Sequence, residues 1–130
     1  MTYLVDTDWI IDHLNGDQAA TNLLTSLSAS GIAISIITYS EVYEGILRSA
    51  DPRRSEQVFR TFLHSVAILP ISRTVAKRNA AVRLDLRRRS RTVRVRGLDL
   101  LIAATALTYN LTLVTRNKDD YKDVTGLSLH

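Results

Sequence analysis

The sequence contains no cysteine among its 130 residues. Disulfide bridges, thiolate metal sites and cysteine nucleophiles are therefore excluded, and any bound metal must take oxygen or imidazole ligands. The chain is long enough for one domain with a single core, and too short for two domains of ordinary size. We therefore expect one domain over residues 1–130 with one functional site.

The sequence also lacks a long uninterrupted apolar run. Its most apolar stretch, residues 97–115, carries a single charge but contains four threonines, Tyr109 and Asn110, so it predicts a buried helix and strand instead of a membrane span. Asp6 and Asp8 interrupt the region where a signal peptide would need apolar residues. The sequence is typical of a cytoplasmic protein that does not associate with a membrane.

Basic residues are concentrated in the middle of the chain. Residues 48–96 hold fourteen lysines and arginines against three acidic residues, a formal charge of +11, while the rest of the chain carries −7. This distribution predicts a positive surface for a polyanion beside a separate cluster of carboxylates. Taken alone, the basic section could equally be a solvated helix surface.

Short apolar runs alternate with amphipathic segments along the chain. Buried strands are predicted at residues 3–5, 32–34, 66–69 and 111–115, with a last one near 127–129. Helices are predicted to follow the capping residues Thr7 or Asp8, Asp17, Thr38, Asp51 and Ser72, and a sixth, almost wholly apolar helix spans about 98–109. The alternation predicts an α/β fold with a mainly parallel sheet and helices on both faces.

Two acidic residues are expected near the carboxyl ends of the first two strands, where parallel sheets bind ligands. Asp6 follows the first strand directly, although it could simply cap the next helix. Glu41 stands three residues after Thr38, the spacing of a helix capping box, yet it would also lie near the same sheet edge as Asp6. Glu44, one helical turn further on, is an alternative to Glu41.

Asp99 is the only charged residue between Gly97 and Thr115, and it falls in the first turn of the predicted apolar helix. A helix that is apolar all round is buried. A buried carboxylate is costly unless it is paired or binds a metal, so its presence there favours a functional role.

The segment after the fourth predicted strand brings Asp119 and Asp120 to the same edge of the sheet. Alone, these residues could form a charged surface turn. However, carboxylates gathered at one edge repel each other unless cations neutralise them, and oxygen ligands select hard ions such as Mg²⁺ or Mn²⁺. The sequence therefore predicts a divalent metal site.

Four motifs together give the sequence a family resemblance. They are LVDTDWIID at residues 4–12, ITYSEVYEG at 37–45, LDLLIAATAL at 98–107 and LVTRNKDDY at 113–121. In this order and spacing, they resemble the PIN-domain family and, within it, the VapC-like toxins. The resemblance implies a PIN-like three-layer sandwich and a divalent-metal-dependent endoribonuclease that cuts single-stranded RNA.

The resemblance also implies roles for individual residues. The metal-binding and catalytic carboxylates would be Asp6, Glu41, Asp99 and Asp120, supported by the polar residues Thr7, Thr115 and Asn117. This chain has Asp119, Asp120 and Tyr121 where the family more often has one aspartate followed by phenylalanine. The motif favours Asp120, although Asp119 could substitute for it. Asp8 stands where the family more often has serine or asparagine.

The resemblance further implies three kinds of partner: Mg²⁺ or Mn²⁺ as cofactor, RNA as substrate, and a VapB-like antitoxin that inhibits the enzyme. A homodimer is the common state of such toxins. We expect the arginine-rich stretch to bind the RNA backbone through Arg87, Arg88, Arg89, Arg91, Arg94 and Arg96. An antitoxin would need an apolar groove, which we expect around Ile46, Leu47, Phe59, Phe62 and Leu63.

Two other functions are compatible with parts of the sequence. A strand followed by Asp6-Thr7-Asp8 resembles the signature of haloacid-dehalogenase-type phosphatases, in which Asp6 would be the nucleophile and Asp8 the acid. None of the three lysines, however, is convincingly placed for that chemistry. A non-catalytic RNA-binding module of PIN fold would retain the basic section but would not need the full set of acids.

Overall fold

The computed structural model describes residues 1–130 and contains the predicted alternation of strands and helices. The strands are β1 (Tyr3–Val5), β2 (Ile32–Ser35), β3 (Val66–Leu69) and β4 (Thr112–Val114). The helices are α1 (Thr7–Leu14), α2 (Gln18–Ser28), α3 (Ile36–Arg48), α4 (Pro52–Leu63), α5 (Arg73–Arg88) and α6 (Gly97–Thr108), followed by a short 3-10 helix at Lys118–Asp120.

The four strands form one parallel sheet in the order β3-β2-β1-β4. The first strand is therefore central, and Tyr3 is in register with Ile32 on one side and Thr112 on the other. The predicted last strand near residues 127–129 is wrong as a strand, because only a single parallel bridge joins Leu129 to Leu113. All four carboxyl ends lie at one edge of the sheet, which is where a ligand site is expected.

Two apolar clusters occupy opposite faces of the sheet, because successive side chains of a strand point to opposite faces. Leu4 and Leu113 belong to the cluster that packs against α5 and α6. Their neighbours Val5 and Val114 belong to the cluster that packs against α1 to α4. The predicted α/β fold with helices on both faces is thus confirmed.

Side-chain caps determine where several helices begin. Asp17, Asp51 and Ser72 cap α2, α4 and α5 as predicted. The prediction for α3 was wrong: Ser35 caps it by accepting the N–H of Ile37 at 3.1 Å, so Thr38 lies inside the helix. The capping box between Thr38 and Glu41 therefore does not exist, and Glu41 lies beyond the first turn.

The helix α6 confirms the expectation from its apolar composition. Six of its 12 residues are buried, among them Leu100 and the run from Ile102 to Ala106. Helices of this kind pack on every side, and α6 contacts α5, α3 and β4. None of the helices combines the length and the apolar character that crossing a membrane requires.

Candidate active site

The carboxylate of Asp6 lies at the end of the central strand and is 7% exposed. Its Oδ1 accepts the backbone N–H of Thr7 at 2.8 Å and so caps α1. Its Oδ2 accepts the hydroxyl of Thr115 at 2.9 Å, from the residue that follows β4. Asp6, and not the predicted Thr7 or Asp8, is therefore the cap of α1, and it also lies at the edge where the site was expected.

Asp99 approaches Asp6 from the first turn of α6, and the hydroxyl of Tyr121 lies close to both carboxylates. Tyr121 is 1% exposed. Burial raises the pKa of Asp6 and the pKa of Asp99, and nearby carboxylates raise both pKa values further, against opposing hydrogen bonds. Two carboxyl groups are thus held where ionisation is costly, a pattern that is frequent at functional sites.

Glu41 is connected to the same edge through a pair of threonines. The hydroxyl of Thr7 donates to Glu41 Oε1 at 2.6 Å and lies 3.3 Å from the hydroxyl of the buried Thr38. The alternative residue, Glu44, points to solvent and lies 3.6 Å from Arg48 in a surface ion pair. The structure thus places Glu41, and not Glu44, next to the residues around Asp6.

The segment that follows β4 supplies the remaining acids. Asp120 interacts electrostatically with Asp99, whereas the side chain of Asp119 is 92% exposed and lies 3.4 Å from Lys122. Asn117 donates from its backbone to Thr115 at 3.1 Å and from its side chain to Asp8 at 3.1 Å. This geometry supports Asp120 over Asp119 as the residue that faces the site.

Asp8 and Tyr121 are members of the site that the motif analysis did not assign to it. Asp8 contributes to the raised pKa of both Asp6 and Asp99, so its charge acts on the same crevice. Its position two residues after Asp6, in the first turn of α1, was the available signal. The sequence gave no such signal for Tyr121, because a tyrosine at this position could equally be an ordinary core residue.

Arg116 connects the chain segments that border the site. Its guanidinium lies 2.7 Å from Asp12 and 3.2 Å from Asp17, and it stacks 3.7 Å from the ring centre of Trp9. These contacts tie the chain after β4 to α1 and to the start of α2. The positions of Asp6 and Thr115 relative to each other are thereby reinforced.

The six arginines predicted to bind RNA have different surroundings. Arg89 pairs with Asp85 at 2.8 Å, and Arg96 pairs with Asp123 at 2.7 Å and donates to the carbonyl of Asp120. Arg94 instead lines a cavity of about 580 Å³ together with Glu41 and Asp99. The exposed guanidiniums of Arg87, Arg88 and Arg91 form none of the ion pairs found in the protein.

The carboxylates share one edge of the sheet, but no three acidic or histidine side chains converge closely enough, as placed, to hold a single ion. The arrangement is an acidic crevice at the carboxyl ends of parallel strands, with buried carboxyl groups of raised pKa and a basic surface nearby. Fold and crevice together define a class of α/β proteins with a negatively charged site.

Comparison with known proteins identifies the family. The model of the PIN domain matches residues 3–127, and the chain therefore belongs to the PIN domain family. Ribonuclease VapC10 of Mycobacterium tuberculosis is 39% identical over 117 residues, which cover 88% of this chain and 81% of the relative. The chain is thus similar to a VapC ribonuclease over most of its length.

Two solved complexes contain chains of the same fold. The structure of VapBC2 from Rickettsia felis, bound to a DNA fragment from their promoter, includes a chain with a TM-score of 0.86 and 27% identity, covering 100% of this chain and 98% of the other. A toxin-antitoxin complex from Klebsiella pneumoniae includes a chain with a TM-score of 0.73 and 31% identity, with coverages of 97% and 95%.

The family match and the local geometry both disfavour the phosphatase alternative. The oxygens of Asp6 already accept three hydrogen bonds, from Thr7, Thr115 and Tyr121, and the residue is 7% exposed, which leaves an edge for a small ion but little room for the in-line approach of a phosphate ester. A nucleophilic carboxylate needs an oxygen that can reach phosphorus. Asp6 is therefore better placed to cap α1 and contact an ion than to act as a nucleophile.

Proposed function

We propose that this chain is a divalent-metal-dependent endoribonuclease, the toxin of a toxin-antitoxin pair, acting in the cytoplasm where its RNA substrate lies. The observation that supports this proposal is that Asp6, Glu41, Asp99 and Asp120, from four separate segments of a PIN-family chain, lie along the same edge of the sheet. The similarity to a VapC ribonuclease and to a chain of a toxin-antitoxin complex supports the same function.

The donor set fits Mg²⁺ or Mn²⁺. All the available ligands are carboxylate oxygens, which hard cations prefer. Burial makes the negative charges of Asp6 and Asp99 costly, and a cation would offset that cost. Asp6 and Asp99 would be the inner ligands, with Glu41 and Asp120 beside them.

A bound divalent cation supplies two effects in phosphodiester hydrolysis, namely activation of water and stabilisation of charge on the phosphate. The residues of this chain supply position. Thr7 orients Glu41, and Thr115 and Tyr121 orient Asp6, so the carboxylates keep their places when the charge at the site changes. Side chains held in this way lower the cost of assembling a reactive geometry.

The direct test is incubation of the purified protein with single-stranded RNA, with and without Mg²⁺ or Mn²⁺, beside an Asp99→Asn variant. We expect internal cleavage that requires the metal and is lost in the variant. Glu44→Gln is the matched control, because it removes an acidic charge outside the crevice. RNA that remains intact with the wild-type protein and either metal would contradict the proposed function.

We also propose an antitoxin contact in a groove between α3 and α4. The groove encloses about 260 Å³ and is lined by Tyr39, Tyr43, Glu56, Phe59, Arg60 and Leu63. This corrects the expected position in part, since Phe59 and Leu63 line the groove but Ile46, Leu47 and Phe62 do not. An amphipathic helix is a suitable occupant for such a groove. The homodimer that the family resemblance implies is a prediction that size measurements in solution would test.

A further inference from the structure

The cavity that contains part of the acidic crevice also has a wall of basic and amide side chains. The cavity of about 580 Å³ has Glu41 and Asp99 on one side and Asn79, Arg83 and Arg94 on the other. Asn79 and Arg83 lie four residues apart on α5, so they present their side chains from the same face of that helix. The basic and amide groups therefore adjoin the carboxylates within one space.

Arg83 lacks an acidic partner although it is only half-exposed. Arg83 is in none of the ion pairs of the protein. Arg89 and Arg96, by contrast, pair with Asp85 and Asp123. Arg94 is exposed at the same cavity and is likewise unpaired. Two guanidiniums near one another, beside acids that they do not pair with, are suited to a phosphate, which arginine binds in bidentate geometry.

Asn79 supplies an independent indication of a ligand. Its Oδ1 is buried and has no hydrogen-bond partner, which is uncommon for a buried polar atom. A buried acceptor without a donor is destabilising, so a donor supplied by a bound molecule would offset that cost. The apolar side chains of Val95 and Leu98, 86% and 53% exposed, border the same cavity.

The geometry points to a nucleotide subsite in which one nucleotide of single-stranded RNA, adjacent to the cleaved bond, binds between α5 and the start of α6. Arg83 and Arg94 bind its phosphate, the Asn79 amide hydrogen-bonds an edge of its base, and Val95 and Leu98 contact the ring. Unpaired bases offer their edges to amides in this way, and their rings to apolar side chains. The subsite rests on the proposed function and adds a determinant of substrate choice.

The test measures RNA binding in the Asp99→Asn background, where the RNA remains uncut. A fluorescein-labelled single-stranded RNA is titrated by anisotropy at several salt concentrations with Arg83→Gln and, as control, with Arg78→Gln, which removes the same charge from α5 at a different cavity. We expect Arg83→Gln to weaken binding about tenfold and to reduce the salt slope by roughly 0.7, the value for one phosphate contact on a single strand. Arg78→Gln should leave the salt slope nearly unchanged.

A second measurement addresses the base. In the cleaving protein, Asn79→Ala should alter the ratio of cleavage rates among RNAs that differ in one base next to the cut, whereas Arg83→Gln should slow all of them alike. Circular dichroism melting confirms that both variants fold.

The possible outcomes separate the two proposals. If the wild type cleaves RNA but Arg83→Gln binds as the parent does and Asn79→Ala keeps the wild-type ratios, the subsite is wrong and the ribonuclease function stands. If the wild type never cleaves but RNA binding still depends on Arg83, the function is wrong and the phosphate-binding part of the subsite stands. An RNA that neither binds nor is cut overturns both.

Discussion

The hydroxyl of Tyr121 donates to Oδ2 of Asp6 at 3.3 Å, across a separation of 115 residues in the chain. Thr115 donates to the same oxygen at 2.9 Å, so two hydroxyl groups converge on one buried carboxylate oxygen. Both hydrogen bonds favour the ionised form of Asp6, in opposition to its burial. This relationship makes Tyr121 a positioning residue for the site.

We predict that Tyr121→Phe lowers the free energy of unfolding by about 1 kcal/mol, because the ring still fills its place while one donor to a buried carboxylate is lost. Urea denaturation in the absence of metal measures the change. Tyr109→Phe is the matched control, since that ring is 39% exposed and its hydroxyl has no intramolecular hydrogen bond. Equal midpoints for the two variants would show that the contact with Asp6 contributes nothing.

Asp99→Asn should abolish cleavage and raise the stability of the metal-free protein by something on the order of 1 kcal/mol, because it removes a partly buried charge near other carboxylates. Asp6→Asn should also abolish cleavage but should not gain stability, since both oxygens of Asp6 accept hydrogen bonds and an amide has only one acceptor oxygen. Thermal melting and an RNA cleavage assay check both effects. Unchanged nuclease activity in either variant would contradict the assignment.

Metal affinity should fall as the pH is lowered, because Asp6 and Asp99 must lose their protons to bind a cation and burial raises both pKa values above 3.8. The stability of the metal-free protein should depend on pH in the opposite direction and rise as the pH is lowered. A carboxyl group with a raised pKa contributes most to stability below about pH 3.8 and loses that contribution as the pH rises through its folded-state pKa.

Calorimetric titration with Mn²⁺ at several pH values measures the affinity, and urea denaturation without metal measures the stability. The Asp99→Asn variant should bind more weakly and show a shallower pH dependence. An affinity that does not change between acidic and neutral pH would mean that these two groups are not ligands.

We predict different roles for Arg94 and Arg96: Arg94 should bind RNA, and Arg96 should stabilise the fold. Arg96→Gln should lower the free energy of unfolding by about 2 kcal/mol, because Arg96 and Asp123 form a hydrogen-bonded ion pair with 17% of each side chain exposed. Arg94→Gln should weaken RNA binding and leave the melting temperature nearly unchanged. Denaturation and anisotropy on both variants make the comparison, and an exchange of the two phenotypes would contradict it.

An antitoxin peptide should inhibit cleavage with a potency that falls as Mg²⁺ rises. The reason is that a crevice of carboxylates attracts an arginine as well as a cation, and the two would compete. A short reading frame immediately upstream should encode such a peptide, with apolar residues near an arginine or lysine. Inhibition that is tight but indifferent to Mg²⁺ would mean that the peptide blocks the access of RNA without entering the acidic crevice.

The fold could be predicted because it depends on local patterns, and the same patterns led to the four acidic residues proposed for the site. Strand and helix periodicity determined the order of elements, and in a parallel sheet every residue that follows a strand lies at the same edge. Asp6 and Asp120 were proposed as site residues in this way. Asp99 was proposed because a single charge in an apolar helix conflicts with burial.

Other features depend on contacts that no local pattern encodes. Ser35 and Thr38 are both acceptable helix caps, and only the extension of β2 to Ser35 decided between them. The arginine-rich stretch gave no means of separating Arg96, which pairs with a residue 27 positions away, from Arg94. Tyr121 resembled an ordinary core aromatic, because the direction of its hydroxyl is set by the whole fold.

The sheet order has a consequence for the synthesis of the protein. The strand made first, β1, pairs with β4. Asp6 accepts hydrogen bonds from the hydroxyl groups of two residues that lie 109 and 115 positions later in the chain. A chain emerging from the ribosome can form its early helices, but it cannot complete this site until the segment around Tyr121 has been released. For the proposed nuclease, this order means that the ribosome makes Asp6 early but that the carboxylate is held in place only after the segment around Tyr121 has emerged.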